Sequence, residues 1–142
     1  MPGSSLGRTM VAAVVYFAIV FVIAFGLGTI RVLQVVPRLG EIKAVLIEAP
    51  VLLAISWLVV GWTIRRFSVP TRPGLRAVMG IIAFALLIVA EAGLAVGLFG
   101  RSINQFVAAY GAIPGAIGLA AQLGFAAMPL LRLRLGEGQS GT

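Results

Sequence analysis

The chain has 142 residues, of which 61% are hydrophobic and 11% charged, and it carries a formal net charge of +7. Soluble domains contain roughly 25% charged residues, so this composition excludes a water-soluble globular protein and predicts an integral membrane protein. Cysteine, histidine and aspartate are absent. Structural zinc, thiol catalysis and imidazole acid–base chemistry need those side chains, so we expect no metal, no cofactor and no enzymatic activity.

Four apolar stretches are each long enough to cross the membrane, since a helix needs about 20 residues to span roughly 30 Å of hydrocarbon. None alternates between polar and apolar residues, which argues against a membrane barrel. We predict one all-α domain over residues 10–131, a four-helix transmembrane bundle with up-down-up-down topology. Its spans cover about residues 10–36, 44–64, 77–99 and 106–131, between a short cytoplasmic N-terminus, 1–9, and a flexible cytoplasmic tail, 132–142.

The first stretch has a second interpretation as a cleaved signal peptide. Arg8 would supply its charge, and Ala24-Phe25-Gly26 its small-residue cleavage site. A typical signal core has about 7–15 apolar residues, and this stretch is longer. A membrane-spanning helix is therefore the preferred interpretation.

Prolines and glycines mark the joints between the spans. Pro37 and Gly40 predict a tight turn that makes the first two spans an antiparallel hairpin. Two prolines favour an open path for the loop of residues 65–76. Pro114 and Gly115 interrupt the fourth stretch near its start, so a second interpretation begins that span at Pro114 and makes residues 106–113 kinked or interfacial.

The basic residues predict the orientation. In a four-span bundle, seven arginines fall on the side of both termini, and three or four basic residues fall on the other. The first group is Arg8, Arg65, Arg66, Arg72, Arg76, Arg132 and Arg134; the second is Arg38, Lys43 and Arg101, with Arg31 if it belongs to the loop. The positive-inside rule then places both termini in the cytoplasm, and we expect a bacterial inner membrane.

The basic loop has two interpretations: a topology determinant alone, or a contact with anionic lipid headgroups. The arginines for such a contact are Arg65, Arg66, Arg72 and Arg76. Nucleic acid is not an expected partner, because the charges flank the spans and form no patch with interleaved aromatic residues.

Three ionisable residues lie inside apolar stretches. Counting about 1.5 Å per residue, Arg31 and Glu48 lie roughly 8–9 Å from the same end of the first hairpin, and Glu91 lies about 12 Å from that end. Gln34, one helical turn from Arg31, is expected on the same face. The sequence therefore predicts an intramembrane polar cluster of Arg31, Gln34, Glu48 and Glu91.

That cluster has two interpretations. In the structural one, Arg31 pairs with one or both glutamates and fixes which helices adjoin. In the functional one, two carboxyl groups share one positive charge, so one of them stays protonated and can bind a cation or carry a proton. A third arrangement, in which Arg31 snorkels outward, leaves the glutamates to other partners.

Small residues recur at helical spacing in the third and fourth stretches and predict a helix-packing stripe, inside the monomer or against a second copy. The stripe comprises Gly93, Gly97, Gly111, Ala112, Gly115, Ala116, Ala120 and Gly124. Gln122, in the middle of the fourth stretch, is expected to bond to another helix.

Three functions follow from these features. The first is a non-enzymatic accessory or oligomerising membrane subunit that acts through helix contacts in a homo-oligomer or a larger complex. The second is a small transporter or a proton- or cation-conducting protein that uses Glu48 and Glu91. The third, a membrane enzyme acting on lipid, has only Glu41, Arg38 and Lys43 near the headgroups.

Overall fold

A computed structural model describes residues 4–135, and this part of the chain is helical with no strand. Four of its helices are long and apolar enough to cross a membrane, which confirms the all-helical architecture and the four candidate spans. The helices are α1 Ser5–Leu39, α2 Glu41–Phe67, α3 Pro73–Leu98, α4 Ile103–Ala109 and α5 Ile113–Leu135. Two of them contain a π turn, Arg31–Val35 in α1 and Leu94–Leu98 in α3.

The helix ends differ from the predicted ones. Ser4 caps α1 by accepting a hydrogen bond from the Gly7 amide at 3.0 Å, so the helix begins well before residue 10. At the other end of the chain α5 continues to Leu135. Residues 132–135 are thus helical where a flexible tail was predicted, and the rest of that tail, 136–142, lies outside the described residues, as do residues 1–3.

The joints follow the breaker residues. Gly40 has a φ of +87° between α1 and α2, and Gly100 has a φ of +70° after α3, conformations that a residue without a Cβ adopts without strain. The predicted fourth span is broken: the short α4 is separate, and α5 starts at Ile113, next to Pro114. Proline is tolerated in the first turn of a helix, so it sets a start there and not a kink.

The four long helices form a ring in which α1 and α5 are each in contact with both α2 and α3. The buried core fills one half of this ring. It takes residues from the first half of α1 and α3 and the last part of α2 and α5: Ala12, Ala13, Tyr16, Val60, Ile64, Met79, Ala83, Phe125 and Met128. The other half of the ring, toward the α1–α2 joint, contains a cavity.

Small residues bring α5 close to both of its neighbours. A Cβ on Gly80 of α3 would collide with the backbone carbonyl oxygen of Ala126, so the two main chains are in direct contact there. Against α2, a Cβ on Gly124 would lie 2.8 Å from Leu53 Cδ2. Close approach of main chains through small residues is the usual way to pack helices in lipid, where no hydrophobic force acts between them.

Near its C-terminal end, α5 is bound to α2 by a guanidinium group. Arg132 Nη2 donates a hydrogen bond to the carbonyl oxygen of Trp57 at 3.0 Å, and Arg132 Cζ lies 4.3 Å from the centre of the Trp57 ring. The space for this group comes from Gly61, where a Cβ would collide with the guanidinium. Arg132 therefore packs inside the bundle, although the sequence indicates only a flanking charge.

Tyr16 connects α1 to α5 across the ring. Its hydroxyl group donates to the carbonyl oxygen of Phe125 at 2.7 Å, and the two rings stack with their centroids 4.4 Å apart. Phe125 is four residues before Pro129, and proline has no amide hydrogen to donate to that carbonyl. The tyrosine thus supplies the hydrogen bond that the proline removes from the helix.

Most residues of the predicted small-residue stripe are exposed in the monomer. Gly93, Gly97, Gly111, Ala112, Ala116 and Ala120 are exposed. Gly124 contacts Leu53, and a Cβ on Gly115 would collide with the carbonyl oxygen of Ala109, which lets α4 fold back on the start of α5. Gly115 and Gly124 therefore pack inside the monomer, and packing of the exposed members inside the monomer or against a second copy stays a prediction.

Candidate functional site

A cavity of about 620 Å³ lies between the helices in the half of the ring away from the core. Three of the four acidic residues of the chain, Glu41, Glu48 and Glu91, line it. Arg31 and Arg101 line it as well. Because Glu41 and Arg101 are exposed, the cavity opens at the end of the bundle where α1 joins α2. We call it the carboxylate cavity.

The carboxylate cavity ends near the middle of the bundle. Val20, Ser56, Leu87 and Phe125, one residue from each long helix, line it at its inner end. The stacked rings of Tyr16 and Phe125 close the bundle at that point. With a rise of 1.5 Å per residue, the eleven residues from Val20 to Arg31 give a depth of about 16 Å.

Arg31 and Glu48 form an ion pair on one wall of the carboxylate cavity. Arg31 Nε lies 3.0 Å from Glu48 Oε1, although the N–H is not aligned for a hydrogen bond. The side chains are 27% and 15% exposed. Gly28, one turn before Arg31, leaves room for the guanidinium, since a Cβ there would lie 3.5 Å from Nη2. The first π turn begins at Arg31, and π turns often occur at functional sites.

Glu91 is held by neutral donors. Its Oε1 accepts one hydrogen bond from Gln122 Nε2 at 2.6 Å and another from the Tyr110 hydroxyl group at 3.2 Å. Its second oxygen, Oε2, takes part in neither bond. Among the side chains of residues 4–133, Glu91 forms no ion pair. The carboxyl group of Glu91 therefore has its position fixed by neighbours that leave its charge uncompensated at short range.

Tyr110 lies between α4 and α5 and reaches Glu91 from the mouth of the cavity. Burial, and then the neighbouring Glu91 carboxylate, raise the pKa of Tyr110 to about 12. The phenol is therefore protonated at neutral pH and donates its hydrogen to Glu91. Ser102 and Gln105 form a capping box that starts α4, and the rings of Phe106 and Tyr110 meet edge to face at 5.4 Å, which positions the tyrosine.

Gln122 has an unused acceptor. Its amide nitrogen donates to Glu91, whereas its carbonyl oxygen Oε1 is buried and has no hydrogen-bond partner in the described part of the chain. A buried acceptor without a donor is costly. Gln122 lines the carboxylate cavity, so a cationic or hydrogen-bond-donating ligand near Glu91 would find a second oxygen there.

The structure brings together most of the predicted polar cluster. Arg31 and Glu48 are in contact, and Glu91 shares their cavity but is bonded to Gln122 and Tyr110. Gln34 is exposed and does not line the cavity, because the π turn that starts at Arg31 changes the helical register by which the two residues would share a face. Sequence reasoning gave Tyr110 no role, since it follows the end of a short helix and no periodic pattern includes it.

The four loop arginines are not equivalent. Arg65, Arg66 and Arg72 are exposed, as a headgroup contact requires. Arg76 is fully buried and donates to three backbone carbonyls, Nε to Pro70 at 3.1 Å, Nη1 to Pro129 at 3.1 Å and Nη2 to Val69 at 3.5 Å. Its guanidinium thus points into the protein and away from lipid headgroups. There it donates to carbonyl oxygens of the loop before α3, which no helix amide satisfies.

The site can hold a positive charge or a proton inside a bundle of membrane-spanning length. A carboxyl group, an amide oxygen and a phenol converge at Glu91, and the nearby ion pair keeps Arg31 engaged with Glu48. Comparisons with known proteins add no assignment: no protein-family model, no curated protein and no solved structure matches the chain.

Proposed function

We propose that this protein is a small membrane transporter or proton- or cation-conducting protein that binds its cation or proton in the carboxylate cavity, with Glu91 as the principal binding group and Glu48 as the second. The observation that carries the proposal is the surroundings of Glu91. Ionisable groups inside a membrane are expensive and usually functional, and a purely structural carboxylate is normally paired with a cation. Glu91 has neutral donors and a cavity beside it.

The proposal includes an orientation: up-down-up-down, with both termini in the cytoplasm of a bacterial inner membrane. The helix contacts support the alternation, since Arg31 near the end of α1 meets Glu48 near the start of α2, and Arg76 in the first turn of α3 meets Pro129 in the last part of α5. The excess of arginine on the side of the termini supports the orientation. The carboxylate cavity then opens away from the cytoplasm, and the exposed loop arginines face anionic headgroups.

Flux measurements test this function. In proteoliposomes with a pH-sensitive dye inside, Glu91→Gln should lower proton- or cation-driven pH changes at least tenfold, because the amide is neutral and does not ionise at neutral pH. Glu48→Gln should lower the flux less, because Glu48 is the second binding group and is already paired with Arg31. Gln34→Ala, a polar residue one turn from Arg31 but outside the cavity, is the matched control and should transport normally. Equal flux in all variants that fold contradicts the proposal.

A second candidate is the accessory or oligomerising subunit, and one observation favours it. Ala116 and Ala120 lie four residues apart on one exposed face of α5, and Ala112 is exposed just before that helix. Small residues of this kind let a second helix approach closely. This function needs no ligand in the cavity, and the Arg31–Glu48 pair then acts only to hold α1 against α2.

Oligomer analysis tests the second candidate. If the α5 face packs against another copy, Ala116→Leu should shift the protein from oligomer to monomer in light scattering of the purified detergent complex, because the larger side chain separates the helices. Ala18→Leu, at an exposed position on α1, is the control and should leave the oligomer intact. A wild-type monomer, or an oligomer that both variants retain, contradicts the assignment of this face.

A further inference from the structure

A second cavity, of about 580 Å³, reaches the same carboxyl group from the side of the bundle. It lies along α1 and α3 and shares five lining residues with the carboxylate cavity. The shared residues are Ala24, Arg31, Glu91, Arg101 and Phe106. Most of its other lining is apolar, so it forms a lateral groove that ends at Glu91.

Aromatic rings line this groove. Four of the eight phenylalanines of the chain are found there: Phe21, Phe25, Phe99 and Phe106. Phe21 and Phe25 are one helical turn apart on α1, and Phe99 directly follows the π turn of α3. Phe25 is 49% and Phe99 63% exposed, so the groove opens on the outer surface of the bundle, between two helices of membrane-spanning length.

The charges decide what this groove can receive. Arg31 is engaged by Glu48 at 3.0 Å, and Arg101 is at the exposed end, where its Nη2 donates to the carbonyl oxygen of Gln105 at 3.4 Å. Glu91 is the inner charged group, and it forms no ion pair with the side chains of residues 4–133. A ligand that enters between the phenylalanines therefore meets the Glu91 carboxyl group; Gln122, which donates to Glu91, lines the carboxylate cavity and not this groove.

We propose that the substrate is an amphipathic organic cation, which enters from the lipid through the α1–α3 groove and places its charged nitrogen or phosphorus centre at Glu91. This inference rests on the proposed function and specifies its substrate class. Aromatic faces attract cations, and apolar walls accept the hydrocarbon part of the molecule. A site of 580 Å³ is in the usual range of about 300–1,000 Å³ for drug-sized ligands. A proton or an inorganic cation would need no such groove.

Three probes separate charge from hydrophobicity. Tetraphenylphosphonium is a lipophilic cation, tetraphenylborate is an anion of nearly the same size and shape, and tetramethylammonium is a cation without the aromatic surface. We expect equilibrium dialysis of the purified protein to show saturable binding of tetraphenylphosphonium, with at least tenfold weaker binding of the other two. Equal binding of the phosphonium and the borate overturns the inference, because the groove would then select only for apolar surface.

Variants in the groove test the substrate class, and a variant of Glu91 tests the cation site. Phe25→Ala combined with Phe99→Ala should weaken tetraphenylphosphonium binding roughly tenfold, which matches the worth of cation–π and apolar contacts. Val22→Ala, at an exposed position of α1 outside the groove, should bind normally. Glu91→Gln should abolish saturable binding of the phosphonium.

The failures are distinguishable. One outcome is a proton or tetramethylammonium flux that depends on Glu91, with tetraphenylphosphonium neither binding nor competing. The amphipathic substrate class is then wrong, and the cation site at Glu91 stands. If Glu91→Gln changes no flux and no binding, the proposed function itself is wrong.

Discussion

Arg76→Met is expected to destabilise the protein by about 3 kcal/mol. The methionine has a similar length but cannot donate, so it removes the guanidinium bonds to the carbonyl oxygens of Val69, Pro70 and Pro129. A buried acceptor left without its donor costs about 1–3 kcal/mol. The bonds also connect the α2–α3 loop and the end of α5 to the first turn of α3. Their loss should therefore weaken the attachment of this loop and of the end of α5.

The measurement is unfolding of the purified protein by SDS in mixed micelles, followed by the fluorescence of Trp57 and Trp62. Arg72→Met, an exposed arginine in the same loop, is the matched control and should change the free energy of unfolding by less than about 0.5 kcal/mol. Arg76→Lys keeps the charge but not the planar fork of donors, and should fall between the two. A neutral effect of Arg76→Met would show that these bonds contribute no net stability.

Gly80→Ala is expected to lower the free energy of unfolding by roughly 3 kcal/mol. One added methyl group should thus destabilise the protein as much as Arg76→Met. The new Cβ would collide with the backbone carbonyl oxygen of Ala126. No flexible side chain can move aside there, so α3 and α5 must separate and lose contacts along their length. A larger residue such as Val should prevent folding of the bundle.

Gly93 provides the control on the same helix. A Cβ there meets nothing within 4 Å, so Gly93→Ala should leave stability unchanged or raise it slightly, since alanine favours helix by about 0.8–1.0 kcal/mol over glycine. The same SDS unfolding assay compares the two variants. Equal effects at Gly80 and Gly93 would mean that helix propensity, and not close packing, governs both positions.

Composition and hydropathy were sufficient to predict the helical architecture and the number of candidate spans. Length along a helix converts directly to depth, so counting residues from the turns could place Arg31, Glu48 and Glu91 in one half of the bundle. The rotation of each helix about its own axis could not be predicted in this way. Whether Glu91 faces Arg31 or Gln122 depends on how α3 and α5 pack, and a uniform apolar stretch carries little information about its inward face.

Two further features, a π turn and a buried arginine, could not be predicted from the sequence. The π turn at Arg31 makes Gln34 point away from the cavity, although regular periodicity would put it beside Arg31. Arg76 is indistinguishable by sequence from the exposed arginines before it, because its burial depends on the distant Pro129. Neither the position of a π turn nor the approach of Pro129 to Arg76 is encoded in the hydropathy or charge pattern of one segment.

The bond between Tyr16 and Phe125 has a mechanical consequence. At Pro129 the helix α5 lacks one of its main-chain hydrogen bonds, and the tyrosine hydroxyl of another helix takes its place. One main-chain hydrogen bond fewer therefore resists bending of α5 at this level, and proline is a common cause of helix kinks. The place where α5 has the fewest main-chain hydrogen bonds thus lies at the floor of the cavity, between the cavity-lining part of α5 and the part held by Arg76 and Arg132.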